Sequence, residues 1–383
     1  MIITSILDTD LYKLTIQQAV MKSSFLGKNF RDFNVEYEFI NRKSTKFSIG
    51  FVKALIENIN AMQNVSLTFN QEKYLRSLNL FDNEYIEYLK NYRFNPHQVN
   101  VTYSLEDGLK VTVKGTWLET ILWEVPLLAM ISELHYEDVK PFIQEEKTIR
   151  RNALLKAQRL QNTDFIEFGT RRRFSKHLQN VVLESMLGYV KGTSNVELAM
   201  KHDIPVVGTQ AHEWFMAIGA AFGYQFANQI ALQAWQDVYK HKLNIALTDT
   251  FTSDVFFRDI DTKFAASYAG FRQDSGNPLE FAEKAANFYQ DLGISTASKK
   301  IIFSDSLTVD KVLDIQSRYG NVFQCQYGIG THFSNDFSVE PLNIVMKLTK
   351  CNGLGAVKLS DDVGKYTGCK KDIEISKTLL QIT

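Results

Sequence analysis

The sequence predicts an α/β chain in which parallel strands alternate with helices and close into an irregular barrel, preceded by an α+β region. Three observations carry that prediction. From about residue 145 onward, seven short apolar runs end in Gly, Asp, Ser or Thr, and helical patterns lie between them, as parallel strands with helical crossovers require. No G-x-G-x-x-G stands between a strand and a helix, which disfavours an open dinucleotide-binding sheet. Polar residues gather at the carboxyl ends of nearly every run, and in a barrel those ends converge on the face where active sites sit.

Taken in order, Asp10 to Met21 reads as a helix. Val35 to Ile40 and Val99 to Tyr103 alternate like strands with one solvated face, and Lys110 to Val113 is a third candidate. The seven barrel runs are Asp164–Gly169, Tyr189–Gly192, Ile204–Gly208, Leu243–Asp249, Tyr268–Asp274, Lys300–Asp305 and Val322–Gly328. Pro278 to Leu292 illustrates the helices between them. Asn277 caps it, Pro278 suits the first helical position, Glu280 completes a capping box and Gly293 ends it. Leu279, Ala282, Ala285, Ala286 and Tyr289 form its predicted buried stripe. The division that follows is an α+β region over 1–130, a barrel over 131–340 and a C-terminal segment over 341–383.

Composition excludes several classes of function. Lys plus Arg equals Asp plus Glu at 43 each, so no global field attracts nucleic acid or anionic lipid. The most apolar stretch, Thr120 to Leu134, is broken by Glu124, Pro126 and Glu133, which argues against a membrane span. The opening residues lack a basic region and meet Asp8 and Asp10 early, unlike a secretory signal. The three cysteines, Cys325, Cys351 and Cys369, have no metal-ligand spacing and read as free thiols in a reducing compartment, the cytoplasm.

The chemistry gathers at strand ends. Glu167-Phe-Gly-Thr-Arg-Arg-Arg-Phe174 puts three guanidinium forks after a strand, suited to phosphate or carboxylate, with Arg171 nearest the strand end. A solvated helix start is the plain alternative, weakened because cations are disfavoured at a helix N-terminus unless an anion sits there. Lys191-Gly-Thr-Ser-Asn195 and Tyr327-Gly-Ile-Gly-Thr331 are small-residue turns whose N–H groups can cradle phosphate, through Gly328, Gly330 and Thr331 in the second case. Of seven histidines, only His212 combines a strand end, an adjacent acid and a flanking apolar helix; Asp249 is the predicted carboxylate that orients it. Arg272 and Asp274 precede the capped helix, where Asp274 can hold ribose hydroxyls or magnesium, and Asp305 repeats the arrangement.

These words, read together, resemble the nicotinate phosphoribosyltransferase family. Asp8-Thr-Asp-Leu-Tyr-Lys-Leu-Thr15, Phe168-Gly-Thr-Arg-Arg-Arg-Phe-Ser175, Gly192-Thr-Ser-Asn195, Ala211-His-Glu-Trp-Phe215, Arg272-Gln-Asp-Ser-Gly276 and Phe303-Ser-Asp305 occur in the family's order. Tyr327-Gly-Ile-Gly-Thr331, Pro341-Leu-Asn-Ile344 and Lys358-Leu-Ser-Asp361 follow. Nine such words in order, from about residue 6 to about 365, are highly specific.

The resemblance implies that nicotinate and phosphoribosyl pyrophosphate give nicotinate mononucleotide and pyrophosphate. It implies ATP hydrolysis coupled through a phosphohistidine at His212, with Mg2+ present. It also implies an irregular barrel with a sheet domain built from both chain ends, and a homodimer with shared active sites. In that pattern Phe168 and a partner chain's Tyr12 sandwich the pyridine ring, Arg171 and Arg272 meet charged groups of the substrate, and Asp249 supports His212.

Nicotinamide phosphoribosyltransferase, a relative on the same scaffold, is the competing enzyme. Such enzymes typically carry aspartate where Ser194 stands, which would repel a carboxylate, so Ser194 favours nicotinate. Quinolinate phosphoribosyltransferase should carry more cations, and its motifs do not match. A non-catalytic small-molecule-binding barrel would be expected to lack His212, Asp249 or the arginines, and all are present.

Overall fold

The computed structural model describes residues 1–362 and 365–382. Its first helix, Leu11–Lys22, starts from an extended Asp10 and is buried on nearly every side. Buried polar groups on such a helix need partners. Gln17 bonds the Leu118 carbonyl and the Tyr85 hydroxyl, while Gln18 bonds Tyr239 and the Leu80 carbonyl. This helix therefore acts as an internal strut rather than an amphipathic cover.

After a small hairpin, β1 (Ser24–Phe25) and β2 (Lys28–Asn29), come β3 (Asn34–Asn41), β4 (Val99–Ser104) and β5 (Gly108–Thr116). The parallel strands are β6 (Asp164–Glu167), β7 (Ile245–Leu247), β8 (Gly270–Gln273), β9 (Lys300–Phe303) and β10 (Gln324–Ile329). The chain then returns as β11 (Ile344–Cys351) and β12 (Leu354–Gly355).

One antiparallel sheet has the order β12-β11-β3-β5-β4. Its centre pairs Met346 with Phe39 and Leu348 with Tyr37, so a strand from each end of the chain shares one ladder. The expected sheet domain from both chain ends is therefore present. A second sheet is fully parallel, in the order β6-β10-β9-β8-β7.

Two of the seven runs predicted as barrel strands, 189–192 and 204–208, are reduced to single bridges. Thr193 bridges Glu167 on one side and Val206 on the other, continuing the parallel order outward from β6. Pro205 has no N–H to give to a ladder, so that edge pairs only through the Pro205 carbonyl and the Val207 N–H, both to Thr193. At the far edge, the Leu247 N–H donates to Oε1 of Gln210 at 3.2 Å, where a backbone partner would otherwise stand. The irregularity of the barrel has this local cause.

The helix Pro278–Asp291 forms as expected, with Asn277 accepting from the Leu279 N–H. The capping box does not form: Glu280 accepts from the Asn277 side-chain amide instead of reaching the cap's backbone. Its buried stripe also runs through Phe281 rather than Leu279 and Ala286, because Phe281 faces Phe257 across the barrel layer.

All four tryptophans are buried. The Trp214 ring meets Trp117 at 5.7 Å, Trp235 at 5.8 Å and Phe30 at 5.6 Å, packing the helix His212–Phe222 between the antiparallel sheet and the barrel's outer helices. Among the described residues, no helix is long and apolar enough to cross a membrane.

Candidate active site

A cavity of about 260 Å³ opens at the carboxyl ends of the parallel strands, roofed by β11 and the segment after β12. Arg42, Arg171, Arg172, Arg272, Lys347, Lys358 and Lys365 line it, against the acids Glu124, Glu213, Asp274, Asp305 and Asp362. A chain with no net charge thus concentrates cations where anions can be held.

His212 opens its helix immediately after an extended Ala211. Its Nδ1 lies 3.1 Å from Oγ1 of Thr250. Its Nε2 lies 3.0 Å from Oδ2 of Asp274 and 3.0 Å from Nζ of Lys358. Burial and Lys358 hold the imidazole below its ordinary pKa, outweighing Asp249 and Asp274. The neutral ring carries one proton: placed on Nδ1, toward Thr250, it leaves Nε2 to accept from Lys358; placed on Nε2, it is donated to Asp274.

Asp249 does not take the predicted orienting position. It approaches Nε2 only to 3.7 Å, beyond hydrogen-bonding distance. Its carboxylate instead pairs with Lys358 at 3.2 Å and accepts from Oγ of Ser275 at 2.5 Å. Burial raises its pKa, but Lys358 and His212 more than compensate and leave it below the usual range.

Asp274, expected at ribose or magnesium, is the carboxylate that contacts His212. Arg272 Nη2 and Ser304 Oγ bond its other oxygen at 3.0 and 2.7 Å, and Arg272 with His212 holds it well below the ordinary carboxylate pKa despite burial. Arg272 is fixed in turn by Oγ1 of Thr209 at 2.8 Å and Oγ of Ser304 at 2.8 Å. This is a rigid, charge-assisted network.

The three consecutive arginines divide their work. Arg171 and Arg172 line the cavity. Burial, together with Arg171 and Arg42, lowers Arg172 to about 10. Arg173 is fully buried between Asp8 and Glu133, at 2.7 Å from each, and is structural.

Tyr12 lines the cavity from the same chain, 5.9 Å from the Arg171 guanidinium. Within the single chain Tyr12 lies at its own cavity, and the Leu11 N–H donates to the Ser194 carbonyl at 2.8 Å, tying this helix to its own barrel. Phe168 does not line the cavity; its ring occupies the space a side chain at Gly328 would need. Gly328 thus packs on the Phe168 ring and Gly330 near its carbonyl, and none of Gly328, Gly330 and Thr331 is on the cavity wall. Asp305 does reach it.

Ser194 is buried, outside the cavity wall, and donates to Oδ1 of Asp10 at 2.7 Å. A carboxylate, Asp10, therefore stands beside Ser194, and like Ser194 it lies off the cavity wall. Burial raises the pKa of Asp10, with Arg171 and Ser194 opposing.

Sequence reasoning assigned no role to Lys358, Thr250, Glu213, Lys13 or Glu124. Lys358 stood in the Lys358-Leu-Ser-Asp361 word, and Glu213 beside His212; those words were the available signal.

Two family models match the chain. The nicotinate phosphoribosyltransferase (NAPRTase) family covers residues 163–381, and its N-terminal domain covers 7–132. A nicotinate phosphoribosyltransferase of Desulforapulum autotrophicum is 40% identical over 97% of this chain and 97% of its own. That of Chromohalobacter salexigens is 40% identical over 99% and 98%. The crystal structure of nicotinate phosphoribosyltransferase from Porphyromonas gingivalis superposes with a TM-score of 0.95 at 38% identity, covering all of both chains. A putative nicotinate phosphoribosyltransferase from Saccharomyces cerevisiae gives 0.94 at 34%, over 100% of this chain and 99% of that one.

Proposed function

The chain belongs to the nicotinate phosphoribosyltransferase family, and from that membership we propose how its cavity joins nicotinate to phosphoribosyl pyrophosphate. It is an enzyme of NAD biosynthesis. The observation that carries the mechanism is the Nε2 atom of His212, neutral and lined up between Lys358 and Asp274.

In this reading the pyridine nitrogen attacks C1 of the ribose as the C1–O bond to pyrophosphate breaks. Positive charge develops on the ribose and negative charge on the leaving group. Arg272 and Lys358, held by their own partners, oppose that negative charge from preorganised positions, with Arg42, Arg172 and Lys347 also lining the cavity. Tyr12 and Arg171 hold the ring substrate by an aromatic face and a cation. Phe168 would have to move off Gly328 to complete a sandwich.

ATP donates its γ-phosphoryl to Nε2 of His212: an N–P bond forms, the bond to ADP breaks, and water later cleaves the N–P bond. A phosphoryl group on Nε2 repels Asp274 and attracts Lys358, so Asp274 falls back on Arg272 while Lys358 becomes the main partner. Asp305 and Asp362, two carboxylates on the cavity wall, are the residues that would help hold Mg2+, which when bound would neutralise phosphate charge.

Because Tyr12 belongs to its own chain's cavity, catalysis in this proposal needs no residue from a second subunit, whatever the assembly. Three free cysteines suit a reducing cytoplasm. The test is product analysis with nicotinate and with nicotinamide, each with and without ATP. Nicotinate mononucleotide should form fastest with nicotinate and ATP together. Preferential formation of nicotinamide mononucleotide would overturn the choice of substrate.

A further inference from the structure

Behind Tyr12 and Arg171 lies a cluster that the mechanism above leaves unused. Lys13 Nζ is fully buried and contacts two carboxylates, Glu124 Oε2 at 2.5 Å and Glu213 Oε2 at 2.6 Å. Glu124 also reaches Arg171 at 3.4 Å, and Asp10 lies 4.0 Å from the same guanidinium. Glu213 lines the cavity, yet its Oε1 is buried with no hydrogen-bond partner. An ionised carboxylate oxygen left so is costly; a protonated one becomes a donor awaiting an acceptor.

Asp10, Glu124 and Glu213 face Lys13 and Arg171, leaving one net negative charge before any ligand arrives. Bringing a pyridine carboxylate to Tyr12 and Arg171 adds a second negative charge beside these buried groups. Uptake of one proton relieves both that repulsion and the unpartnered oxygen.

We propose that Glu213 takes up a proton as the anionic ring substrate binds, making it a specificity-determining residue for a pyridine carboxylate. This rests on the functional reading above. The other groups that face Glu213 do not offer an equivalent titration near neutrality. Tyr12 and Tyr37 are pushed well above their ordinary pKa by burial, and Glu124 is held below its own by Lys13 and Arg171 despite burial. The neighbouring His212 is lowered by burial. Burial, opposed by Lys13 and reinforced by Glu124, raises Glu213 to about 7.

The sign follows by linkage. Binding favours protonated Glu213, so affinity is full at low pH and falls once the free enzyme loses that proton. The experiment measures KM for nicotinate from about pH 6 to about 8.5, with the other substrates saturating, in native enzyme, Glu213→Gln and Glu124→Gln. Native KM should climb above about pH 7 toward about tenfold per pH unit, and in Glu213→Gln it should stay within about twofold throughout. Glu124→Gln removes a like charge, so its climb should begin at lower pH; this second variant keeps the test open if Glu213→Gln does not fold. A purely structural role would scale KM equally at every pH. A flat native profile, a slope retained in Glu213→Gln, or an unmoved climb in Glu124→Gln would overturn the inference. Failure to convert nicotinate at any pH would instead sink the functional reading, and this inference with it.

Discussion

The Asp274 carboxylate lies 3.0 Å from Nε2 of His212, whereas Asp249 stays 3.7 Å from the same nitrogen and bonds Lys358 instead. The acid that steers the imidazole is therefore the one that also receives Arg272. In the proposed mechanism, phosphoryl transfer to His212 and charge stabilisation through Arg272 are therefore joined by a single side chain.

Asp274→Asn and Asp249→Asn should accordingly fail differently. Asp274→Asn removes the nearest acid to Nε2 and leaves Arg272 without its counter-charge, so both His212 phosphorylation and mononucleotide synthesis should fall by about 10²-fold or more. Asp249→Asn frees Lys358, which then pairs with Asp274, and should lower phosphorylation more than the ATP-independent rate. Single-turnover phosphorylation and steady-state synthesis measured side by side separate the two; identical profiles would contradict the arrangement.

Lys358→Met should move a pH limb. Lys358 lowers the His212 pKa, so removing it raises that pKa toward the ordinary 6.5. Phosphorylation needs the neutral ring and is lost as pH falls through the pKa. The acid limb of the phosphorylation rate should thus shift to higher pH in Lys358→Met, as read from initial rates across a pH series.

Ser194→Asp should penalise the fold and both ring substrates. The new carboxylate would meet Asp10, which now accepts from the Ser194 hydroxyl, in a fully buried place. Like-charge contact and the lost hydrogen bond should cost about 1–3 kcal/mol of stability. Denaturant midpoints and kcat/KM for nicotinate and nicotinamide test this; a selective loss for nicotinate with unchanged stability would restore Ser194 as the reader of the exocyclic group.

Tyr12→Ala and Arg272→Ala chains, each inactive, should not rescue one another when mixed. Both side chains line one cavity of one chain, so no mixed assembly contains an intact site. Recovery of activity after proven subunit exchange would show that Tyr12 serves a partner.

Much of this was legible before folding. Strand ends with polar residues placed Arg171, His212, Arg272, Asp274 and Asp305 on one face, because parallel strands bring their carboxyl ends together. What escaped was long-range. Lys358 reaches His212 only because β11 carries the chain's end back beside β3, a pairing across some 300 residues that no local pattern announces. Lys13 sits in a helix buried all round, so no apolar stripe marked which side met Glu213. The choice between Asp249 and Asp274 depended on distances of 3.7 and 3.0 Å to the same nitrogen, a difference finer than residue spacing resolves. Phe168 was read as a ring platform, yet the missing side chain at Gly328 gave it a pocket of its own.

The proposed mechanism is decided by where ATP leaves its phosphoryl group. Native enzyme and His212→Ala should be incubated with γ-labelled ATP, digested under alkaline conditions and mapped by mass spectrometry. The expected result is an acid-labile label on Nε2 of His212, absent from His212→Ala. Label that persists undiminished in His212→Ala, or that maps to Nδ1 beside Thr250, would contradict the central claim.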